Sequence, residues 1–335
     1  MISTTKRIIA LSSALCVMLL LTACSLSPKV TNSAVSSPSP IAPLTAEPSE
    51  SQADIDATKE FQHEGVKTIV PSEPKRIVAD WYYGELLALG VRPIGYPEYL
   101  LTEYPYRDSD GTEGLGESME QVIDLKPDLI ISTWDDSYEQ FKKIAPSVLL
   151  KLNNGVEEKM RVLGGLVNKQ AEAESWIASF EEKLENAKQR LVKEGQSDMT
   201  VTILSVFQKD LKVYGYRNMG GDVLYNLLEV EPPEKVKEIF SEADIWNQTI
   251  SFEALPEIAG THIILTAYDP EGSARETLGQ LEQSHVWNSL DAVKNGRVHK
   301  VAYYDLFFDD PIAIEHQIDM LTSMLLSKGV ANETE

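Results

Sequence analysis

Short buried-strand patterns alternate with helix patterns in two blocks of this chain, one on either side of a single long amphipathic stretch. That layout constrains the fold more than any composition figure. In the first block Arg76–Ala79 reads as a short buried strand, and Gly84–Leu89 as a helix stopped by Gly90. Pro93-Ile94-Gly95 opens a second strand, and Asp128–Ile131 is a third. Between them Ser118–Leu125 reads as a helix, with Ser118 as N-cap and Gln121 at capping-box spacing. The second block repeats the pattern. Thr200–Phe207 and Leu211–Tyr216 are strand-like about a turn at Lys209-Asp210, and Asp222–Leu228 is helical. His262–Thr266 and Arg297–Ala302 are strands, and Ile312–Leu326 is a closing amphipathic helix. Alternating β and α elements predict parallel sheets with helices on their faces.

The long stretch lies between the blocks. Ala173, Ile177, Phe180, Leu184, Ala187 and Leu191 follow at spacings of four, three, four, three and four, which is one face of a helix. With Asn168 as N-cap, a helix from Lys169 to Lys193 is about 37 Å long at ~1.5 Å per residue. That reaches from one lobe into another, although a core helix of the same length satisfies the pattern too.

The N-terminus points to export. Lys6 and Arg7 precede an apolar run, Ile8–Leu21, and then Leu21-Thr22-Ala23-Cys24. This is the pattern of a secretory signal, and the run is too short for a stable membrane span. Leu-Thr-Ala-Cys resembles the bacterial lipobox, which implies cleavage before Cys24 and a diacylglycerol on its thiol. The other cysteine, Cys16, leaves with the signal, so thiol catalysis and thiolate metal sites are excluded from the mature chain. Residues 24–55 are rich in Ser, Pro, Thr and Ala and poor in aromatics, the composition of a flexible tether. The expected division is a signal peptide at 1–23, the tether at 24–55, a first lobe at 56–155, a helical connector at 156–196 and a second lobe at 197–330.

The formal net charge of −22 argues against nucleic acid, which selects basic surfaces. A local cleft can still differ from the global sign. The five histidines, His63, His262, His285, His299 and His316, are scattered without metal-ligand spacing, and His262 falls in a buried-strand pattern. No P-loop and no Gly-x-Ser-x-Gly elbow is present, and Asp135-Asp136 and Asp309-Asp310 read as solvated loop charges. No catalytic residue, resident cofactor or metal ligand is expected.

A faint internal echo links the blocks. Ser118-Met119-Glu120 leads towards the strand at Leu129, and Ser251-Phe252-Glu253 towards the strand at Ile263. A Glu in the first turn of a Ser-capped helix suits the helix dipole, which alone accounts for both.

Together these phrases resemble the binding proteins for iron-siderophores and cobalamin. The resemblance rests on Pro74–Val78, Glu85–Gly95, Leu125–Ile131 and Lys143–Val148. In the second block it rests on Gly221–Tyr225, Ile250–Glu253 and Val286–Val298. It covers nearly the whole folded body in order. It implies an α/β fold of two Rossmann-like lobes joined by a single long helix, with the ligand between them. It also implies that Glu120 and Glu253, one on each lobe, dock onto the permease of an ABC importer. The protein would work as a lipid-anchored monomer at the outer face of the cell membrane.

In open α/β sheets ligands sit beyond the carboxyl ends of the strands. Those positions are unusually aromatic here. The candidate lining is Trp81, Tyr82, Tyr106, Arg107 and Trp134 from the first block, with Tyr214, Tyr216, Arg217, Tyr268 and Phe307 from the second. The loops Tyr96–Arg107 and Tyr303–Phe308 carry further rings, some of which are expected to be core. A ferric siderophore brings its own iron ligands. A triscatecholate shell is strongly anionic and needs clustered cations, whereas only Arg107, Lys212 and Arg217 are at hand. A near-neutral hydroxamate shell suits ring walls and the planar fork of Arg217. Tyr214-Gly215-Tyr216 before Gly220-Gly221, and Phe307-Phe308-Asp309-Asp310-Pro311, resemble the ferric hydroxamate-binding lipoproteins of Gram-positive bacteria. Those carry Trp where Phe307 stands. A haem, cobalamin or metal-ion binding lipoprotein of the same fold is the alternative; an enzyme and a surface interaction protein without a small ligand are more distant rivals.

Overall fold

A computed structural model describes residues 57–106, 111–152, 155–194, 199–241 and 245–327. The expected signal peptide and the whole of the expected tether, with Cys24, lie outside these residues, as does Arg107.

An antiparallel hairpin comes first, β1 (Thr58–His63) and β2 (Val66–Pro71), turning at Glu64-Gly65. The first lobe is then built on five parallel strands. They are β3 (Ile77–Ala79), β4 (Gly95–Pro97), β5 (Glu113–Leu115), β6 (Leu129–Ser132) and β7 (Ser147–Leu149), in the spatial order β5-β4-β3-β6-β7. The second lobe has β8 (Val201–Phe207), β9 (Asp210–Tyr214), β10 (Asn247–Ile250), β11 (His262–Tyr268) and β12 (Val298–Lys300), ordered β10-β9-β8-β11-β12. Both sheets therefore share one spatial order, in which the first and fourth strands of the lobe lie side by side at the centre. In the second lobe β8, β11 and β12 are parallel, while β9 runs antiparallel to β8.

The central strands are buried along nearly their whole length: Ile77-Val78-Ala79, Leu129–Ser132 and Val201–Val206. Continuous burial rather than alternation is what helices on both faces of a parallel sheet produce. The chain is an α/β protein of two Rossmann-like lobes.

The helix Gln170–Glu194 joins them. Its Ala173 and Ile177 belong to the core of the first lobe, and its Phe180, Ala187 and Leu191 to that of the second. The 3.6-residue periodicity thus keeps one face buried while the helix passes between cores. Asn168 does not cap it. It sits in the left-handed region (φ 59°) at the break after the helix Val156–Leu166, and its side-chain amide donates to Glu73 (3.3 Å). At Ser118 the cap is as expected: its hydroxyl accepts from the Glu120 N–H (3.2 Å). Gln121, however, accepts from Gly116 N–H (2.8 Å) rather than from Ser118.

The chain end crosses back. Phe308 and Ala313 lie in the first core, whereas Ile314, Ile318 and Leu321 of the helix Pro311–Leu326 lie in the second. The stretch from Tyr303 to Ala313 is thus a strap between lobes, where the sequence suggested a segment of the second lobe alone.

Candidate functional site

At the centre of the first sheet Asp80 follows β3 and sits beside β6. Its carboxylate accepts from the Thr133 N–H (2.8 Å) and from the Ser132 hydroxyl. Burial pushes this carboxyl up to about 6 against those hydrogen bonds. The bonds tie together the two loops that carry Trp81 and Trp134. Trp81 is half-buried against the first core. Trp134 is 55% exposed, at the start of the helix Asp135–Phe141. Tyr82, also expected on the lining, is a core residue instead. It is buried at φ 66°, donates to the Leu150 carbonyl (2.8 Å) and accepts from the Leu152 N–H (3.2 Å).

In the second lobe the carboxyl ends of β8 and β11 carry Phe207 and Tyr268, stacked at 4.9 Å. Tyr303, after β12, lies 4.8 Å from Tyr268. From there rings follow one another along the strap: Tyr304 (5.2 Å from Tyr303), Phe307 (5.7 Å) and Phe308 (5.1 Å). Phe308 meets Tyr104 (4.9 Å), which meets Tyr83 (5.4 Å) and Tyr106 (5.7 Å) in the first lobe. Tyr106 in turn stacks flat on His316 at 4.4 Å. Offset and edge-to-face pairs of this kind each add about 0.5–1.5 kcal/mol beyond buried area. The result is one connected aromatic wall that starts at the strand ends of one lobe and finishes in the other, half-buried at Phe207, Tyr268, Tyr303, Tyr304, Phe307 and Tyr106 but passing through the first core at Phe308, Tyr104 and Tyr83. Burial raises the phenol pKa of Tyr303 and Tyr304, and pushes that of Tyr106 up to about 12, so these three present hydroxyls rather than phenolates at neutral pH.

Tyr268 and Phe307 therefore come together, each against Tyr304, and Tyr106 is linked to them through Tyr104 and Phe308. Tyr214 is buried one layer in, beside Tyr303, and its phenol is pushed up to about 12 by that burial. Tyr216 does not join these rings. Because β9 is antiparallel, its carboxyl end is level with Ile203, four residues back from Phe207. Tyr216 packs edge-on against Tyr225 (5.4 Å), whose hydroxyl reaches the Val201 carbonyl at the far end of β8. Arg217 is exposed beyond it. Phe207 was not foreseen, since as the last residue of a buried-strand pattern it reads as core.

A buried charge cluster anchors the strap. Lys159 pairs with Asp309 (2.8 Å) and lies 4.0 Å from Glu85, which is 1% exposed. Asp310 is buried rather than solvated. It accepts from Tyr104 (2.9 Å) and caps the closing helix through the Ile312 and Ala313 N–H groups (3.0 and 3.1 Å). Burial pushes its carboxyl up to about 6 despite those bonds.

Among the described residues no three His, Cys, Asp or Glu side chains gather to hold a metal. His262 is buried and pairs with His299 at 3.1 Å, and His63 is held by Thr68 and Leu149. Hollows of about 330 Å³ beside Lys183 and about 450 Å³ beside His63 lie away from the wall and gather no comparable rings. Glu120 and Glu253 are both exposed on the first turns of short helices. Hydrogen bonds from the Glu253 N–H and from Ser251 hold the Glu253 carboxyl below its usual range. No helix among the described residues is long and apolar enough to cross a membrane.

Residues 88–302 match the periplasmic binding protein family, and the chain belongs to it. It is similar to two iron(3+)-hydroxamate-binding proteins of Bacillus subtilis. YxeB is 33% identical over 273 residues, covering 79% of this chain and 84% of that one. FhuD is 32% identical over 274 residues, covering 79% and 85%. A solved structure from the same organism has a TM-score of 0.72 at 31% identity, covering 80% of this chain and all of that one. It is an FhuD fold-family periplasmic binding protein component of a Fep/Fec-like ferrichrome ABC transporter.

Proposed function

We propose that this chain captures a ferric siderophore of the hydroxamate type outside the cytoplasm and hands it, without changing a bond, to the permease of an ABC importer. The observation that carries this reading is the aromatic wall between the lobes, accompanied among the described residues by the half-buried Lys212 over the Phe207 ring (5.8 Å). Rings and hydroxyls suit the organic shell of a chelate whose iron is already fully ligated. A triscatecholate complex would have to leave several negative charges without partners, at a cost one lysine does not offset. The names of the B. subtilis relatives agree with the hydroxamate choice.

In this reading residues 1–23 are removed on export, Cys24 carries the lipid, and residues 24–55 tether the folded body, which acts as a monomer. Glu120 and Glu253 face the permease. Trp81, Trp134, Tyr106, Tyr268 and Phe307 contact the chelate, joined by Phe207, Tyr303 and Tyr304.

Titrating the purified protein with ferric chelates while following tryptophan fluorescence tests the proposal. A ferric trihydroxamate should quench and saturate, and a ferric triscatecholate should bind at least about tenfold more weakly, a difference of ~1.4 kcal/mol. Preference for the catecholate would overturn the charge argument.

A further inference from the structure

One row of the second sheet is polar where its surroundings are apolar. Strand register sets Thr249 of β10, Lys212 of β9, Ser205 of β8 and Thr266 of β11 side by side on the same face. The next row inward is Tyr214, Ile203 and Ile264. The next row outward holds the stacked pair Phe207 and Tyr268, about 7 Å along the strands. The row therefore lies one step inside the aromatic wall.

Its polar atoms are poorly served. Ser205 is 0% exposed and Thr266 2%, and neither hydroxyl has a hydrogen-bond partner. Buried polar atoms are ordinarily paired, and an unpaired one costs free energy. Lys212 has no carboxylate partner among the described residues. Its ammonium makes only long bonds to neutral oxygens, Asn247 (3.3 Å) and Thr249 (3.4 Å), and leans over the Phe207 ring. Three neighbouring strands thus present an ammonium and two hydroxyls able to donate, with no carboxylate among the described residues to receive them. A carboxylate is the group that matches this set, since it accepts from all three and neutralises the lysine.

We infer that Lys212, Ser205 and Thr266 form a subsite for a carboxylate arm on the chelate, so that hydroxamate siderophores with a pendant carboxylate are favoured over neutral ones. The inference rests on the siderophore reading above and narrows its ligand class. Phe207, half-buried and stacked on Tyr268, stands at the mouth of the row.

Two derivatives of one chelate make the test. N-acetyl ferrioxamine B is capped by a neutral amide, and N-succinyl ferrioxamine B carries a free carboxylate on the same core. Their dissociation constants are measured by fluorescence quenching on the unaltered protein and on Lys212→Met, Ser205→Ala and Thr266→Val, at low and high salt. The succinyl form should bind about tenfold tighter than the acetyl form, and Lys212→Met should erase that advantage together with its salt dependence. Ser205→Ala and Thr266→Val should each weaken the succinyl form about threefold and change the acetyl form less than twofold. Both replacements remove a hydroxyl without a partner, so thermal midpoints should hold or rise, which separates recognition from folding. Equal affinity for both derivatives, or equal losses for both in the variants, overturns the subsite while leaving the siderophore reading intact. Failure of both derivatives to bind the unaltered protein overturns the two together.

Discussion

Glu85 shows most clearly what a single residue contributes. Its carboxyl is buried and one of its oxygens has no donor. Burial pushes it up to about 8; Lys159 pulls it back, while Asp310 and Asp309 push it further. Lys159 itself is held charged, against its own burial, mainly by Asp309 at 2.8 Å, so the 4.0 Å contact to Glu85 is the weaker partnership. The sign of the pH effect follows. A carboxyl raised from 4.5 to about 8 on folding binds its proton more tightly in the folded state. Its contribution is fully present below the unfolded value and is lost as pH rises through the folded one. The thermal midpoint should therefore fall between pH 5 and pH 8.5, and Glu85→Gln should flatten that slope. Identical slopes for the two proteins would show that Glu85 does not hold its proton. Nothing about this cluster was legible beforehand. Glu85 occurs in an ordinary helical pattern and Asp309-Asp310 in an ordinary loop, and only the return of the strap into the first lobe buries Glu85 and Asp310 side by side. Tyr82 failed for a related reason. Exposed and buried tyrosines look alike in a sequence, and this one satisfies its hydroxyl on the backbone around Leu150.

At the scale of elements, the strap depends on close approach. A Cβ on Gly84 would stand 2.0 Å from an Asp310 carboxylate oxygen. Gly84→Ala must therefore push the capping residue of the closing helix out of place. It should cost about 2–3 kcal/mol, seen as a lower denaturant midpoint with an unchanged slope. A midpoint equal to that of the unaltered protein would mean that the strap is not seated on this helix. Elements were the most legible feature, because burial on two faces leaves continuous apolar runs and burial on one face leaves a 3.6-residue stripe. Direction was not. The Lys209-Asp210 turn was readable as a turn, but applying the strand-end rule to Tyr216 and Arg217 took β9 as parallel. In an antiparallel strand the carboxyl end lies towards the opposite end of the sheet. The hairpin β1–β2 also went unread, since much of it is exposed and its alternation is weak.

For the whole molecule, the long helix and the strap cross between the lobes among the described residues, and both are packed into both cores. Two packed crossings favour small hinge motions over wide opening. If Glu120 and Glu253 make that docking contact, replacing both by Ala should cut siderophore uptake by cells several-fold. Affinity for the chelate in solution should stay within about twofold, since both side chains are exposed on the first turns of short helices. A comparable fall in affinity would place them at the ligand instead.

A crystal structure of the protein soaked with a ferric trihydroxamate addresses the central claim most directly. Anomalous scattering from iron should fall between the lobes, against Tyr268, Tyr303 and Tyr304, with all six iron ligands supplied by the chelate. Iron held by histidine or carboxylate side chains, or a chelate seated away from these rings, would contradict the account.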